Sequence, residues 1–409
     1  MTIALLMGQS LSFVLIAGLG LLIRRITHID ITLACLLSGI IGGLVITQFG
    51  FDIGLRAHSV EQLVFYIFLP VLIFEAAWHL NPQLLKRWFV PAFIYATLGV
   101  VIAAGVVMAL TFFLMDSPQG FPLMAALLTG AILAATDPVA VVAKLTQLDA
   151  PEDLRTLFEG ESLLNDATAV VLFTVVLMFA TGELKEAAPT AHVLYFAKVF
   201  LGGIAVGLCV GFVCQLLIVF LRDKNATIIA LLVAAFGSFY LAEHSFHVSG
   251  IMAVAVAALL IHFALNRKRQ IEHDDETLSV AGSSLEWLGL LFNMLIFTLM
   301  GLVLTLDMFA ERWLAMLIGI AAALLARFSG VYICTALLRV MGRPMPAEWS
   351  LLLSWGGLRG AIAVALALSL PISLPYWWTI QSMIFGVVLF TLLVQGTTFG
   401  YLLKSKISN

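Results

Sequence analysis

Thirteen apolar stretches of about twenty residues, the length that crosses a hydrocarbon layer, leave this chain few folds to choose from. They run over residues 5–23, 31–49, 60–79, 89–114, 121–143, 155–180, 191–220, 226–243, 248–265, 284–306, 312–338, 347–371 and 378–403. Inside lipid every backbone amide and carbonyl must find its partner within the protein, so stretches of this length predict an all-α polytopic membrane protein with about 13 transmembrane helices. Composition agrees: 62% of the 409 residues are hydrophobic and 11% are charged, against roughly 25% charged in an ordinary soluble domain. A net charge of −3 and the lack of any long basic run argue against nucleic acid as a partner. Cys35, Cys209, Cys214 and Cys334 lie in apolar stretches at spacings that fit neither a zinc site nor haem attachment, and read as packing residues. The first stretch has no basic residue ahead of it and no small-residue cleavage site behind it, so it is expected to remain as a helix.

An odd number of spans puts the termini on opposite sides of the membrane. With the N-terminus outside, fifteen of the 21 basic residues fall in inner loops, and the outer loops hold only Arg56, Lys185 and Arg312. The positive-inside rule thus predicts a cytoplasmic C-terminus in a multi-pass plasma membrane, the inner membrane if the source is bacterial. The longest polar insertion, residues 266–284, is expected as a solvated loop on the inner face. Two spans look broken. In span 5, "AATDPVAVV" places Pro138, which lacks an amide hydrogen, after Asp137. In span 12, "SWGGLRGAIAV" surrounds Arg359 with Gly356, Gly357 and Gly360. Seven spans separate them, so they enter from opposite faces, as the two crossing helices of an inverted repeat would.

Ionisable side chains at membrane depth cost about 2.5–3.5 kcal/mol each on insertion scales, so each needs a partner or a task. The candidates are Glu75, Asp137, Glu161, Asp166, Arg327 and Arg359. Two acids and two arginines balance as structural ion pairs, leaving Asp166 and Glu75 over. Ser162, Asn165 and Asp166 share one face of span 6, at spacings of three and four. A carboxylate, a hydroxyl, an amide oxygen and the carbonyls freed near Asp137 are hard oxygen donors suited to a small alkali cation. A carboxylate also binds a proton, and burial away from water favours the protonated form. One group can then hold a cation and a proton by turns. Glu75, in "FLPVLIFEAAWHL", leaves two readings open, a pathway residue or a protonated, packed side chain.

"FLPVLIFEAA", "TDPVAV", "GESLLNDATAVVLF" and "GGLRGAIAVALAL", on spans 3, 5, 6 and 12, resemble in kind and order the monovalent cation:proton antiporters of the sodium/proton exchanger type. The resemblance covers essentially the whole chain. It implies a homodimer in membrane lipid, with scaffold helices in residues 1–85 and 226–306, a mobile six-helix core in 86–181 and 307–409, and a linking helix in 182–225. It implies that Asp166 carries the cation or proton with Asn165 as its partner, and that Thr136, Ser162 and Glu75 help to ligate sodium. It assigns Glu161 with Arg327, and Asp137 with Arg359, to a stabilising polar network.

The function so implied is alternating-access exchange of sodium, or lithium, for protons in pH and sodium homeostasis, with no cofactor and no enzymatic step. Asn165 stands where related electrogenic exchangers have a first aspartate, so one-for-one electroneutral exchange is expected. The chain stops at residue 409, and no soluble regulatory domain is expected after the last span. Potassium in place of sodium is the nearest alternative, since a set of oxygen ligands does not report cavity size. A cation channel is less favoured, because a carboxylate that binds a proton in each cycle suits alternating access better than a continuous pore. Asp137 and Asp166 superficially fit an intramembrane aspartyl protease, but Pro138 and two core arginines would hold these acids apart from any shared water.

Overall fold

The computed structural model describes residues 3–49, 63–78, 80–115, 121–182, 189–221, 223–272 and 275–407. All regular structure among them is helical. The helices are α1 (Ile3–Thr27), α2 (Ile31–Phe49), α3 (Leu69–Trp78), α4 (Pro82–Ile94), α5 (Val100–Leu114), α6 (Leu123–Ala134), α7 (Val139–Gln147), α8 (Glu152–Ala180) and α9 (Pro189–Leu221). They continue as α10 (Lys224–Tyr240), α11 (Gly250–Glu272), α12 (Asp275–Val303), α13 (Leu306–Val340), α14 (Ala347–Trp355), α15 (Ala361–Leu368), α16 (Trp377–Phe390) and α17 (Gly396–Ile407). Helix starts follow local chemistry. Asn81 accepts from the amides of Gln83 and Leu84 ahead of α4, whose first residue is Pro82, and Asp223 accepts from Ala226 N at the start of α10.

Eight helical runs among the described residues are long and apolar enough to cross a membrane, and Ile31–Ile46, Val64–Trp78 and Gly250–Asn266 are shorter apolar helices. This is a coarser picture than thirteen spans. One reason is that α14 and α15, with 9 and 8 residues, are each too short to cross alone. The polar stretch 266–284 differs from expectation, because it is helical apart from residues 273–274, which lie outside the described residues. Helix α11 runs on to Glu272 and α12 begins at Asp275. Charged and small polar residues with adequate helix propensity extend both helices past the end of their apolar sequence.

The helices pack as a continuous bundle. Helix α12 lies along α2, α9 along α11, and α3 against both α11 and α12. Elsewhere α5 pairs with α6, α13 with α5 and α16, and α8 with α4 and α6. Hydrophobic driving force between helices vanishes in lipid, so close approach of small residues has to hold them together. The α2–α12 contact shows this most directly. A Cβ on Gly39 would stand 2.9 Å from the Gly301 Cα and run into the Thr298 carbonyl, and a Cβ on Gly301 would stand 2.8 Å from the Gly39 Cα. Large side chains such as Leu201, Phe212 and Phe220 on α9 point outward, as the hydrocarbon permits.

Backbone faces backbone at that contact, so no side chain can rotate away to make room. Gly301→Ala is expected to force the helices apart and cost about 1–3 kcal/mol, seen as a lower melting temperature in detergent. An unchanged melting temperature would show that α2 and α12 separate without penalty.

Candidate functional site

The site is built where two helical runs lose their regularity side by side. Helix α6 ends at Ala134, Ala135 is extended, and α7 starts at Val139. Helix α14 ends at Trp355 and α15 starts at Ala361. Each gap leaves amides and carbonyls without intrahelical partners, and the two gaps satisfy each other. Asp137 N donates to Leu358 O at 2.8 Å. The Asp137 carboxylate accepts from Val139 N at 2.9 Å and from Ala361 N at 3.3 Å, so one acid caps the starts of both α7 and α15. Negative charge is stabilised there by the partial positive charge of two helix N-termini.

Arg359, only 1% exposed, turns the other way. Its Nη1 donates to Ala135 O at 2.7 Å, and its backbone N donates to Thr391 Oγ1 at 3.2 Å. This corrects the pairing of Asp137 with Arg359. The acid takes the freed amides and the guanidinium takes a freed carbonyl, because stranded backbone groups in lipid compete for those charges. Glu161 and Arg327 do meet, with Nη1–Oε1 at 2.5 Å and Nη2–Oε2 at 2.8 Å, a fork-to-fork pair. Arg327 Nε also donates to Leu353 O at 3.0 Å, near the C-terminal end of α14, where positive charge is favoured.

Thr136 joins this frame to α8. Ser162 Oγ donates to its carbonyl, and Asn165 Nδ2 donates to its Oγ1 at 3.0 Å. Asn165 Oδ1 is buried without a hydrogen-bond partner and borders a cavity fit for about one water, beside Tyr95, Arg327 and Arg359. Asp166 follows on the same helix, partly buried. The charges that act on it are acidic, Asp137 and Glu161, and among the described residues none donates a hydrogen bond to its carboxylate. Glu75 lies on α3, with its side chain against Gly289 of α12. No group of three or more His, Cys, Asp or Glu side chains among the described residues is placed to hold a metal ion, so any ligand set here must draw on hydroxyl, amide and carbonyl oxygens.

Sequence reasoning passed over Tyr95, Thr391 and Gln395. Gln395 Nε2 donates to Trp355 O at 3.0 Å, which satisfies the last carbonyl of α14. The signal was present: Thr391 and Gln395 are polar, four residues apart, in an apolar run. Tyr95, whose hydroxyl lies 2.7 Å from Thr335 Oγ1, carries no such pattern.

The family model described as "Sodium/hydrogen exchanger, transmembrane" matches residues 11–405. The low-affinity Na(+)/H(+) antiporter NhaS1 of Synechocystis sp. is 34% identical over 84% of this chain and 64% of its own length. The Na(+)/H(+) antiporter NhaH of Halobacillus aidingensis is 32% identical over 91% of both chains. This chain spans less than two thirds of the length of NhaS1, and likewise 63% of the Na(+)/H(+) antiporter ApNhaP of Aphanothece halophytica. The fold is similar to the solved sodium proton antiporter MjNhaP1 of Methanocaldococcus jannaschii, with a TM-score of 0.81 and 22% identity over 99% of this chain and 100% of the other.

The Glu161–Arg327 pair makes a specific demand. Removing one partner strands a buried charge, so Arg327→Met alone is expected to cost about 3–5 kcal/mol, with Glu161→Gln similar and the double substitution recovering part of the loss. Melting temperatures of the three variants in detergent check this, and strictly additive losses would refute the coupling.

Proposed function

The chain belongs to the sodium/hydrogen exchanger transmembrane family, and from that premise we propose that it exchanges sodium or lithium for protons, one for one, by alternating access through Asp166. The observation that carries this reading is the state of Asp166. Glu161 is paired with Arg327 and the Asp137 carboxylate accepts two backbone amides at helix starts, whereas Asp166 has acidic neighbours and neither a hydrogen-bond donor nor a basic partner among the described residues. A carboxylate so placed needs a mobile positive charge, and a proton or an alkali cation supplies it in turn.

Thr136, Ser162 and the carbonyls between Ala134 and Val139 are the hard oxygens that would complete the shell around sodium, with Glu75 on the approach. Asn165 does not titrate. It holds the Thr136 hydroxyl instead, which leaves one acid to serve both ions and makes the cycle electroneutral. In this reading α6–α7 and α14–α15 are the two crossing broken helices of an inverted repeat within thirteen spans. Residues 86–181 and 307–409 form the moving core, 1–85 and 226–306 the scaffold and homodimer face, and 182–225 the link. The N-terminus lies outside and the C-terminus in the cytoplasm, where the exchanger serves pH and sodium homeostasis.

Asp166→Asn is expected to reduce sodium-driven proton flux in proteoliposomes to background while the protein still inserts; flux near the wild-type rate would refute the assignment. Clamping the membrane potential with potassium and valinomycin is expected to leave wild-type flux unchanged, because no net charge moves. A rate or end point that follows the imposed voltage would mean that a second proton travels. Acidification is expected to raise the sodium concentration needed for half-maximal exchange, since a protonated Asp166 cannot take the cation. A sodium requirement that stays flat across the range where flux titrates would place the two ions at separate sites.

A further inference from the structure

Helix α12 carries polar residues on one of its faces. Glu286, Gly289 and Asn293 recur at intervals of three and four, so they line one stripe of a helix that is otherwise largely apolar beyond its first turns. That stripe meets α3. A Cβ on Gly289 would come 2.8 Å from the Glu75 Cγ and 3.1 Å from its Oε2, so Gly289 is a notch into which the Glu75 carboxylate is laid. One turn along, Phe292 packs on Phe68, the residue that leads into α3, with ring centroids 5.2 Å apart. Helix α12 also touches α15, the helix that begins beneath the Asp137 carboxylate, and Glu75 is among the acids whose charge acts on Asp137. Helix α3 itself packs against α8, the helix that carries Asp166.

Asn293 is the polar side chain on this stripe whose role nothing above explains. Its Oδ1 is buried and has no hydrogen-bond partner. An asparagine kept in a membrane helix for stability would use that oxygen to accept a bond from a neighbouring helix; this one does not. Side chains on a helix lean toward its N-terminus, so the Asn293 amide inclines toward the Gly289 turn and the Glu75 carboxylate laid on it. We propose that Asn293 is a cation ligand which, with Glu75 over the Gly289 notch, forms a relay station for a partly dehydrated alkali cation on its way to Asp166. The proposal rests on exchange through Asp166. One carboxylate and one neutral oxygen make an incomplete shell, suited to holding a cation briefly and passing it on, because conduction demands binding weak enough to release.

The test uses the full chain in proteoliposomes, with sodium-driven proton flux measured against sodium concentration at fixed pH. Asn293→Ala is expected to raise the sodium concentration for half-maximal exchange by roughly fivefold, the factor for a ligand worth about 1 kcal/mol, with the maximal rate largely kept. Gly289→Ala, which pushes the Glu75 carboxylate out of its notch, should move the same quantity in the same direction. Asn293→Asp, nearly isosteric and better at attracting a cation, should lower it, and this variant keeps the test decisive should Asn293→Ala fail to insert. A wild-type protein that exchanges sodium while Asn293→Ala changes only the melting temperature or the maximal rate would overturn the relay alone, as would Asn293→Asp with an unchanged or raised sodium requirement. A wild-type protein without sodium-driven flux would overturn the exchange reading and the relay with it.

Discussion

Everything at the centre of this molecule depends on two stretches of non-helical backbone being buried together. A helix that stops inside lipid exposes amides at one end and carbonyls at the other, and no water is present to satisfy them. Here the gaps at 135–138 and 356–360 lie against each other, so Asp137 N finds Leu358 O and each gap supplies what the other lacks. Two side chains complete the exchange. Asp137 collects the amides that begin α7 and α15, and Arg359 collects the carbonyl of Ala135. Neutralising either one would strand backbone groups as well as a charge, which makes them structural before they are anything else.

That arrangement sorts the buried charges without any appeal to function. Arg327 is held by Glu161 on one side and by the Leu353 carbonyl on the other. Arg359 and Asp137 are occupied by backbone. The remaining acid of the cluster, Asp166, lies on a continuous helix one turn from Ser162 and has two acids as its charged neighbours. Its isolation is a consequence of the way the other four charges are satisfied. An unpaired carboxylate is stable there only in company with something that brings positive charge, and that requirement is the physical root of the proposed exchange.

Much of this was legible in the sequence because lipid leaves so few options. Apolar runs reported helices, Pro138 and the glycines around Arg359 reported the gaps, and the spacing of Ser162, Asn165 and Asp166 reported a shared face. The partners that Asp137 and Arg359 would choose were not legible. Asp137 and Arg359 balance on paper, and a count of charges says nothing about unsatisfied amides and carbonyls a few ångströms away, which in the fold attract them more strongly. Residues 266–284 misled for a different reason: loss of hydrophobicity marks the end of the apolar layer, whereas a helix ends where its hydrogen bonding ends, and α11 and α12 both run past that boundary. The seat of Glu75 on Gly289 was not legible either, because it depends on a helix more than two hundred residues away in sequence.

The hydrogen bonds of the site share one further property. Asn165 to Thr136, Arg327 to Glu161 and Leu353, Arg359 to Ala135 and Asp137 to Ala361 all connect α6, α7, α8, α13, α14 and α15, and none of them reaches α1–α3 or α10–α12. Where α12 meets the site helices it does so through α15, a helix of alanine, valine, isoleucine and leucine. Movement of the site helices as a body against α12 would therefore keep these bonds intact and trade one set of apolar contacts for another of similar energy. Alternating access, as proposed for this chain, needs such a boundary. A carboxylate must face one side and then the other while the backbone that frames it stays satisfied throughout. A polar network extending across α15 into α12 would tie the two bodies together and raise the barrier by every bond that had to break. In this architecture the polar contacts that make the site specific are confined to the part that would move, and the helix it presents to α12, α15, is apolar.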